Sequence, residues 1–321
     1  MMPRVRLANL PTPVETLPRL SAALNGPVIS IKRDDLTGGL GFSGNKTRKL
    51  EFVYAEALAN SAKTLITVGS VQSNHCRQTA ALAARFGLDC ILVLFGRDPD
   101  EKDGNLLLDS LFGASVVWTG REQYKETLQQ VFDQAWTDGK RPYLIPLGAS
   151  NAVGTLGYVY AMKEFIEQGL DVDTIILASS SCGTQAGLVL GARMFGFKGE
   201  ILGISIDHPA EKMRSRIAAL ATEASERIGQ KIIFDPDEVK VNDDFIGPGY
   251  AVMTDLEKNA IELFARKEAI LLDPVYTGRA AGGMIDHINR KILHQGQHIL
   301  FWHTGGVPAL FAQPYQDILQ P

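Results

Sequence analysis

Short runs of β-branched and apolar residues alternate along most of this chain with segments whose apolar residues have helical spacing. This alternation predicts βαβ units, in which a helix connects two parallel strands and covers the sheet. One series of these units lies in the first half of the chain, and a second begins near residue 174. We therefore predict an α/β protein with two lobes, each containing an open and mainly parallel sheet.

The same patterns place the individual strands and helices. Strands are predicted at residues 64–68, 90–95, 116–118, 143–145, 174–178, 201–206 and 298–303. Helices are predicted at residues 46–60, 74–86, 106–112, 121–136, 184–195, 210–228, 255–268 and 282–295, with a further helical stretch from about residue 308. Ligands of such folds bind outside the carboxyl ends of the strands, where loops lead into helices.

Composition restricts the possible classes of function. The chain has 321 residues, a net charge of −4 and scattered basic residues, which argues against nucleic-acid binding. It lacks a signal peptide and an apolar run of the ~18–20 residues that a membrane span needs. Its three cysteines are far apart, which is typical of reduced thiols in a cytoplasmic protein. We expect a cytoplasmic protein without a nucleic-acid or membrane partner.

Two loops place polar side chains at the starts of predicted helices. Lys46 follows Gly41 and Gly44 at a helix start, where the helix dipole disfavours a positive charge. It is therefore either a solvated surface lysine or an amine suited to a Schiff base. Ser73 and Asn74 follow the strand predicted at residues 64–68 and stand at the start of the helix predicted at residues 74–86. They either cap that helix or hold a substrate carboxylate.

Two further regions complete the candidate loops. Residues 179–184 are serine-rich and lead into a helix, so their backbone N–H groups could cradle a phosphate, although many such turns bind nothing. They lack the P-loop lysine and the G-x-G-x-x-G spacing of dinucleotide sites. The loops at 273–278 and 303–310 are glycine turns before helices, and Tyr276 in the first would by itself be typical of a packing residue. His75 has no other histidine at ligand spacing, so no metal site is predicted.

Several segments taken together resemble one family. They are 32–35 (KRDD), 44–51 (GNKTRKLE), 72–75 (QSNH), 273–278 (DPVYTG) and 303–306 (HTGG). In this order they are similar to the group that contains 1-aminocyclopropane-1-carboxylate deaminase, D-cysteine desulfhydrase and L-cysteate sulfo-lyase. The resemblance extends from about residue 10 to about residue 310, which is nearly the whole chain.

The resemblance implies the tryptophan synthase β-like fold, which is fold type II among enzymes that use pyridoxal 5′-phosphate. In that fold a small domain is inserted into a larger cofactor-binding domain. The implied large domain comprises residues 1–48 and 157–321, and the implied insert comprises residues 49–156. The resemblance also implies a homodimer and a small amino acid as substrate.

The resemblance assigns roles to individual residues by motif match. Lys46, Ser73 and Tyr276 are the implied catalytic residues, with Lys46 forming the Schiff base with the cofactor. The implied cofactor-binding residues are Lys46, Lys49, Asn74, Ser180, Ser181, Cys182, Gly183, Thr184, Thr277 and Thr304. The implied substrate-binding residues are Ser73, Asn74, His75, Tyr250 and Tyr276.

Two threonines bear on the choice of reaction. The deaminase is expected to carry a glutamate and a leucine where this chain has Thr277 and Thr304, whereas desulfhydrase-like members are similar to this chain at both positions. Neutral hydroxyls make the cofactor ring a milder electron sink than a carboxylate at the ring nitrogen would. A milder sink suffices for β-elimination of a good leaving group. We therefore expect conversion of D-cysteine to pyruvate, sulfide and ammonia.

Other activities remain open from the sequence. They are L-cysteate sulfo-lyase, the deaminase and a racemase, and the alternative from another class is a non-catalytic protein that binds the cofactor or an amino acid. Two departures from the family pattern stand out. Cys182 stands where glycine is more common; its amide can still donate to a phosphate, but its thiol could crowd the loop or be oxidised. Residues 251–254 differ from the expected continuation after Tyr250, which leaves the shape of the substrate wall and the exact substrate open.

Overall fold

The structure of the protein is a computed structural model, and it describes residues 2–319. Within that range the strands are β1 (Val14–Thr16), β2 (Val28–Arg33), β3 (Thr64–Ser70), β4 (Asp89–Phe95), β5 (Ser115–Thr119), β6 (Pro142–Leu144), β7 (Thr174–Ser179), β8 (Glu200–Ser205), β9 (Lys240–Asn242) and β10 (His298–His303). The α-helices of the same range are α1 (Pro18–Leu24), α2 (Asn45–Ala59), α3 (Asn74–Phe86), α4 (Gly104–Leu111), α5 (Tyr124–Thr137), α6 (Ala152–Glu167), α7 (Gly183–Phe195), α8 (Ala210–Arg227), α9 (Asp255–Glu268), α10 (Thr277–Asn289) and α11 (Gln313–Leu319). None of these helices is long and apolar enough to cross a lipid bilayer.

Two sheets organise these elements into two lobes. The larger sheet has the order β1-β2-β10-β7-β8-β9, and among the described strands only β1, at its edge, is antiparallel to its neighbour. The smaller sheet has the order β5-β4-β3-β6 and is parallel throughout. The prediction of an α/β protein with two mainly parallel sheets is therefore confirmed.

The centre of the larger sheet is apolar on both faces. On one face, Phe301 in β10 pairs with Ile31 in β2 and Ile176 in β7, and on the other face Leu300 pairs with Ile175. All five side chains are fully buried. Continuous apolar runs are expected where helices cover both faces of a parallel sheet. Each such side chain contributes ~1.5–3 kcal/mol by its burial, so this sheet is a firm base for the loops at its carboxyl edge.

Helix α6 packs against α2, α7 and α8 and joins the lobes. The sequence patterns do not predict it, because its apolar residues surround the helix and give no single apolar stripe. Gly157 allows α6 to approach α2 closely, since a Cβ at this position would clash with the Arg48 carbonyl. The patterns also miss β1, α1, β2 and β9, of which β1 and β9 have three residues each.

The helix predicted at residues 282–295 is instead Thr277–Asn289, so its predicted start was wrong by one and a half turns. Asp273 explains the early start, because its carboxylate accepts hydrogen bonds from the N–H groups of Val275, Tyr276 and Thr277 at 3.0, 3.0 and 2.6 Å. These donors would otherwise lack partners at the helix N-terminus. Tyr276 is thereby held at the first turn of α10.

A buried ionic cluster fixes the first turn of α2 against the larger sheet. Arg48 Nη2 lies 2.8 Å from Asp34 Oδ1 and 2.9 Å from Glu164 Oε1. Tyr158 and Trp302 also donate to Asp34 Oδ2, at 2.6 and 2.8 Å. Buried charges require such partners because desolvation otherwise costs several kcal/mol. The cluster therefore holds α2 in one position relative to β2 and β10.

The start of α2 is also joined directly to the loop after β10. Gly44 forms an isolated antiparallel bridge with Gly305, and Asn45 N donates to Thr304 O at 3.0 Å. Gly44 has a φ of 149°, and a Cβ at this position would lie 2.7 Å from Thr304 O. Only glycine fits this conformation and this approach. Lys46 is consequently placed at the carboxyl edge of the larger sheet.

Candidate active site

A cavity of about 520 Å³ lies between the lobes, at the carboxyl ends of β3, β7 and β10. Most of the predicted site residues line it: Lys46, Ser73, Asn74, His75, Ser180, Ser181, Cys182, Thr184, Tyr250, Tyr276 and Thr304. Lys49, Gly183 and Thr277 lie behind the wall and do not line it. Loops that are distant in sequence therefore meet where parallel α/β folds bind ligands.

Lys46 provides an amine on the wall of this cavity. Gly148 lies beside it, since a Cβ on that glycine would be 3.4 Å from Lys46 Nζ. Burial lowers the pKa of Lys46 to about 8, because the surroundings disfavour the charged ammonium. A substantial neutral fraction near pH 8 makes this amine a nucleophile and a base.

Residues 180–184 form a turn that leads into α7. Cys182 has a φ of 71°, and its thiol lies 3.5 Å from Ser180 O and 3.7 Å from Met213 Sδ. Thr184 Oγ1 accepts a hydrogen bond from Asn45 Nδ2 at 3.0 Å. The sulfur is thus engaged with its own loop and α8. Apart from that of Gly183, which donates to Ser181 O at 3.0 Å, the backbone N–H groups of the turn remain for an anion.

Cationic side chains surround this turn. Lys49 Nζ donates to Ser150 Oγ at 3.1 Å and to Gly148 O at 3.3 Å. Burial and then the charge of Lys46 lower the pKa of Lys49 well below its usual value. Lys212 and Arg216, one turn apart on α8, line the cavity. Positive charge and free N–H groups together suit a phosphate.

The loop after β3 provides a different set of polar groups. Ser73 caps α3, because its Oγ accepts from Cys76 N at 3.2 Å, and it also lines the cavity. Asn74 Oδ1 accepts from Asn105 Nδ2 at 3.1 Å. His75 Nε2 lies 2.8 Å from Thr67 Oγ1, and burial, followed by the charges of two lysines, lowers the pKa of His75 well below its usual value. His75 is therefore neutral at physiological pH.

Two tyrosines face this loop from the larger lobe. The hydroxyl oxygens of Tyr250 and Tyr276 are 2.6 Å apart, and Tyr250 Oη is 3.0 Å from Ser70 Oγ. Burial raises the pKa of both phenols. Both are therefore protonated at neutral pH and form a chain of hydroxyl groups along the wall.

The two threonines that guided the choice of reaction occupy different environments. Thr304 lines the cavity, and its carbonyl holds the start of α2. Thr277 is fully buried, and its Oγ1 donates to Asp273 Oδ1 at 2.8 Å and accepts from Asp273 N at 2.7 Å. The hydroxyl of Thr277 thus serves the start of α10 and does not face the cavity.

Several residues of the wall were not identified from the sequence. They are Asn45, Phe95, Arg121, Tyr124, Gly148, Asp207, His208, Lys212 and Arg216. Most lie in segments without a recognisable motif. The spacing of Lys212 and Arg216, four residues apart in the first half of a predicted helix, is the one signal that could have pointed to them.

The chain was then compared with known proteins. The profile of a family described as pyridoxal-phosphate dependent enzymes matches residues 5–305. The chain belongs to this family of pyridoxal-phosphate-dependent enzymes. It is 41% identical over 319 residues to proteins named D-cysteine desulfhydrase from Salmonella typhi and from Klebsiella pneumoniae strain 342, covering 97% of this chain and 96% of each relative. A crystal structure of an ACC deaminase homologue is 37% identical, covers 99% of this chain and 95% of its own, and superposes with a TM-score of 0.90.

Membership of the pyridoxal-phosphate-dependent enzymes confirms the family, the fold type and the cofactor expected from the sequence. The cavity fits pyridoxal phosphate on its own chemistry. It offers an amine with a lowered pKa, a turn of N–H groups beside cations, and a wall with polar side chains. Within residues 2–319 no group of three or more acidic, histidine or cysteine side chains could hold a metal ion.

Proposed function

We propose that this enzyme catalyses β-elimination from a small β-substituted amino acid, and that D-cysteine, converted to pyruvate, sulfide and ammonia, is its substrate. The observation that carries the proposal is that Lys46, the turn at residues 180–184 and a hydrogen-bonded pair of tyrosines all border one cavity. The relatives named D-cysteine desulfhydrase, which match almost end to end, support the choice of substrate.

The residues that hold the cofactor follow from the chemistry of the wall. Pyridoxal phosphate supplies an electron sink for negative charge at the substrate's α-carbon. Lys46 would hold its aldehyde carbon, residues 180–184 with Lys49 its phosphate, and Asn74 its phenolic oxygen. Tyr276 would lie beside its ring, and Thr304 near its ring nitrogen. Thr277 would influence the cofactor site only indirectly, through Asp273, because its hydroxyl is already hydrogen-bonded to that carboxylate.

The proposed proton movements use groups with shifted pKa values. Lys46, whose pKa is lowered to about 8, takes the α-proton at Nζ. The hydroxyl chain of Ser70, Tyr250 and Tyr276 delivers a proton toward the leaving group, because both phenols remain protonated. Ser73 and the neutral His75 hold the substrate carboxylate and exclude water from the N-terminus of α3.

A comparison of substrates tests the proposal. D-cysteine, L-cysteine, β-chloro-D-alanine, L-cysteate and 1-aminocyclopropane-1-carboxylate are supplied separately, and pyruvate or 2-oxobutyrate is measured. We expect D-cysteine and β-chloro-D-alanine to be turned over well and the cyclopropane substrate poorly. Turnover of L-cysteate alone would replace the desulfhydrase assignment with a sulfo-lyase. Strong turnover of the cyclopropane substrate would replace it with a deaminase.

We propose that the enzyme forms a homodimer through α4 and its surroundings. Leu107 and Leu111 on α4 are 45% and 71% exposed, and Phe311, in the segment packed against α4, is 58% exposed. Exposed apolar groups that lie together commonly mark an interface. Light scattering should give about twice the chain mass of 35.0 kDa, and Leu111→Asp should give monomers. Ile233→Asp, at an equally exposed position outside this region, is the matched control.

We propose that residues 49–156 form the inserted small domain and that residues 1–48 and 157–321 form the large domain. The position of the smaller sheet, between residues 64 and 144, supports these bounds. Hydrogen exchange that changes as one block in residues 49–156 on cofactor binding tests these bounds.

We also propose a cytoplasmic location, supported by three buried cysteines that are free thiols. Cell fractionation tests this location.

A further inference from the structure

Arg121 lies in the turn between β5 and α5 and lines the cavity from the smaller lobe. Its guanidinium carbon is 5.4 Å from the ring centroid of Phe95 and 5.4 Å from that of Tyr250. Tyr250 belongs to the larger lobe and is the middle member of the hydroxyl chain, so Arg121 reaches across the cavity to the ring of a tyrosine in that chain.

The charge of Arg121 has no ion-pair partner in the part of the chain that the structure describes. Among residues 2–319, Arg121 forms neither a salt bridge nor a hydrogen bond, whereas other exposed arginines such as Arg193 and Arg227 pair with glutamates at 2.8 and 2.9 Å. The planar face of the Arg121 guanidinium contacts the rings of Phe95 and Tyr250, and its N–H edges remain available. An arginine held in this way is suited to bind a planar or tetrahedral anion.

The other cations of the wall lie near a different anion site. Burial raises the pKa of the Cys182 thiol to about 11, and the charges of Arg216 and Lys212 oppose that rise, so both lie close to the phosphate-type turn. Arg121 is instead beside Tyr250 and Phe95. Of the cationic side chains that line the cavity, Arg121 is thus the one that contacts a tyrosine ring.

We propose that Arg121 is a specificity-determining residue that binds negative charge on the β-substituent of the substrate, so that the enzyme prefers small amino acids with an anionic β-substituent over neutral ones of the same shape. This inference rests on the proposed β-elimination. A guanidinium at this place also stabilises the negative charge that a departing thiolate carries.

Aspartate and asparagine provide a direct test, because they have nearly the same shape and differ in the charge of the β-substituent. Each enantiomer is titrated into the cofactor-loaded enzyme, and binding is followed through the visible absorbance of the bound cofactor. For the enantiomer that binds more tightly, we expect wild type to bind aspartate about tenfold more tightly than asparagine. Arg121→Gln should remove this preference, and Arg121→Lys should retain part of it.

Arg97→Gln is the matched control, because Arg97 is exposed in the same lobe and does not line the cavity. It should leave the preference unchanged. Equal weakening of aspartate and asparagine by Arg121→Gln would overturn the proposal, since Arg121 would then bind the α-carboxylate common to both. A wild-type enzyme without the preference would overturn it as well. If wild type turns over D-cysteine in that case, the proposed function stands and only the role of Arg121 fails.

Discussion

The hydroxyl oxygens of Tyr250 and Tyr276 lie 2.6 Å apart, and together they place two protonated phenols on the cavity wall opposite the loop that carries Ser70. Burial raises the pKa of Tyr276 well above its usual value, and the neighbouring Tyr250 adds to the rise. Both phenols therefore keep their protons at neutral pH, and each hydroxyl can donate one hydrogen bond and accept another. The pair forms a path of hydroxyl groups along which a proton can be passed toward a leaving group.

Tyr276→Phe removes one member of this pair without changing the shape of the ring. We expect kcat for D-cysteine to fall about 100-fold, because a positioned general acid contributes factors of this order. β-Chloro-D-alanine, whose leaving chloride needs no proton, should lose much less, and steady-state kinetics on both substrates measures the difference. Tyr160→Phe, at a partly buried tyrosine stacked on Phe52, is the control. Equal losses on both substrates would contradict the assignment of Tyr276 as an acid.

Lys46→Met should stabilise the cofactor-free protein at pH 7. The pKa of Lys46 is about 8 in the folded chain, and its ordinary value is 10.5, so the unfolded chain binds more protons between these values. Stability of the wild type therefore rises with pH from about 8 to 10.5, and below that window the lysine costs about 3 kcal/mol. Chemical denaturation of both proteins should show a difference in the free energy of unfolding at pH 7 that disappears at pH 10.5.

A Lys163→Met variant serves as the control for this measurement, since Lys163 is exposed. It should show no pH-dependent gap. Lys46→Met should also abolish the visible absorbance of bound cofactor. A normal absorbance band in this variant would mean that another lysine holds the cofactor.

Asn105→Asp should weaken cofactor binding about tenfold, because it removes the hydrogen bonds that the Asn105 amide donates to Asn74 Oδ1 at the cavity wall and to Gln72 O. Asn105 Nδ2 donates to Asn74 Oδ1 at 3.1 Å, and its Oδ1 accepts from Arg77 Nε at 2.7 Å. Aspartate keeps the acceptor for Arg77 and removes the donor, so the Asn74 amide loses its fixed orientation. Equilibrium titration with pyridoxal phosphate measures the change. Asn60→Asp, at a helix end on the surface, should bind normally, and normal binding by Asn105→Asp would rule out this positioning role.

Arg48→Met should destabilise the protein by about 3–5 kcal/mol, because it leaves a buried carboxylate without its partner. The pKa of Asp34 is lowered: burial opposes ionisation, but the charges of Arg48 and Lys32 and the hydrogen bonds from Arg48 and Tyr158 together outweigh it. The stability from this pair is present above the ordinary pKa of 3.8 and is lost as the pH falls through the lowered value. Urea unfolding at pH 7 and at acid pH should show both effects. Arg290→Met, in an exposed pair with Asp286, should cost less than about 1 kcal/mol.

The sequence predicted those parts of the protein whose local patterns are strong. Helices α3 and α9 were placed at their observed limits, because α3 starts at a serine cap and α9 at a threonine capping box, where the polar pattern changes abruptly. Helix α6 lacks such a pattern because it is buried on several sides. The site residues were found where they belong to motifs. Arg121 contacts Tyr250 only because the two lobes approach each other, which local patterns do not encode. Asp207 follows β8 in a segment without a motif.

The bridge between Gly44 and Gly305 determines when the cofactor site can form during synthesis of the chain. The two residues are separated by most of the chain, yet their contact sets the position at which the lysine-bearing helix begins. During synthesis, the smaller sheet can form as soon as residue 144 has left the ribosome, but β10 and the loop after it emerge more than 150 residues later. A nascent chain can thus fold one lobe early while it still lacks a complete cofactor site, and cofactor capture must wait until residue 305 has emerged.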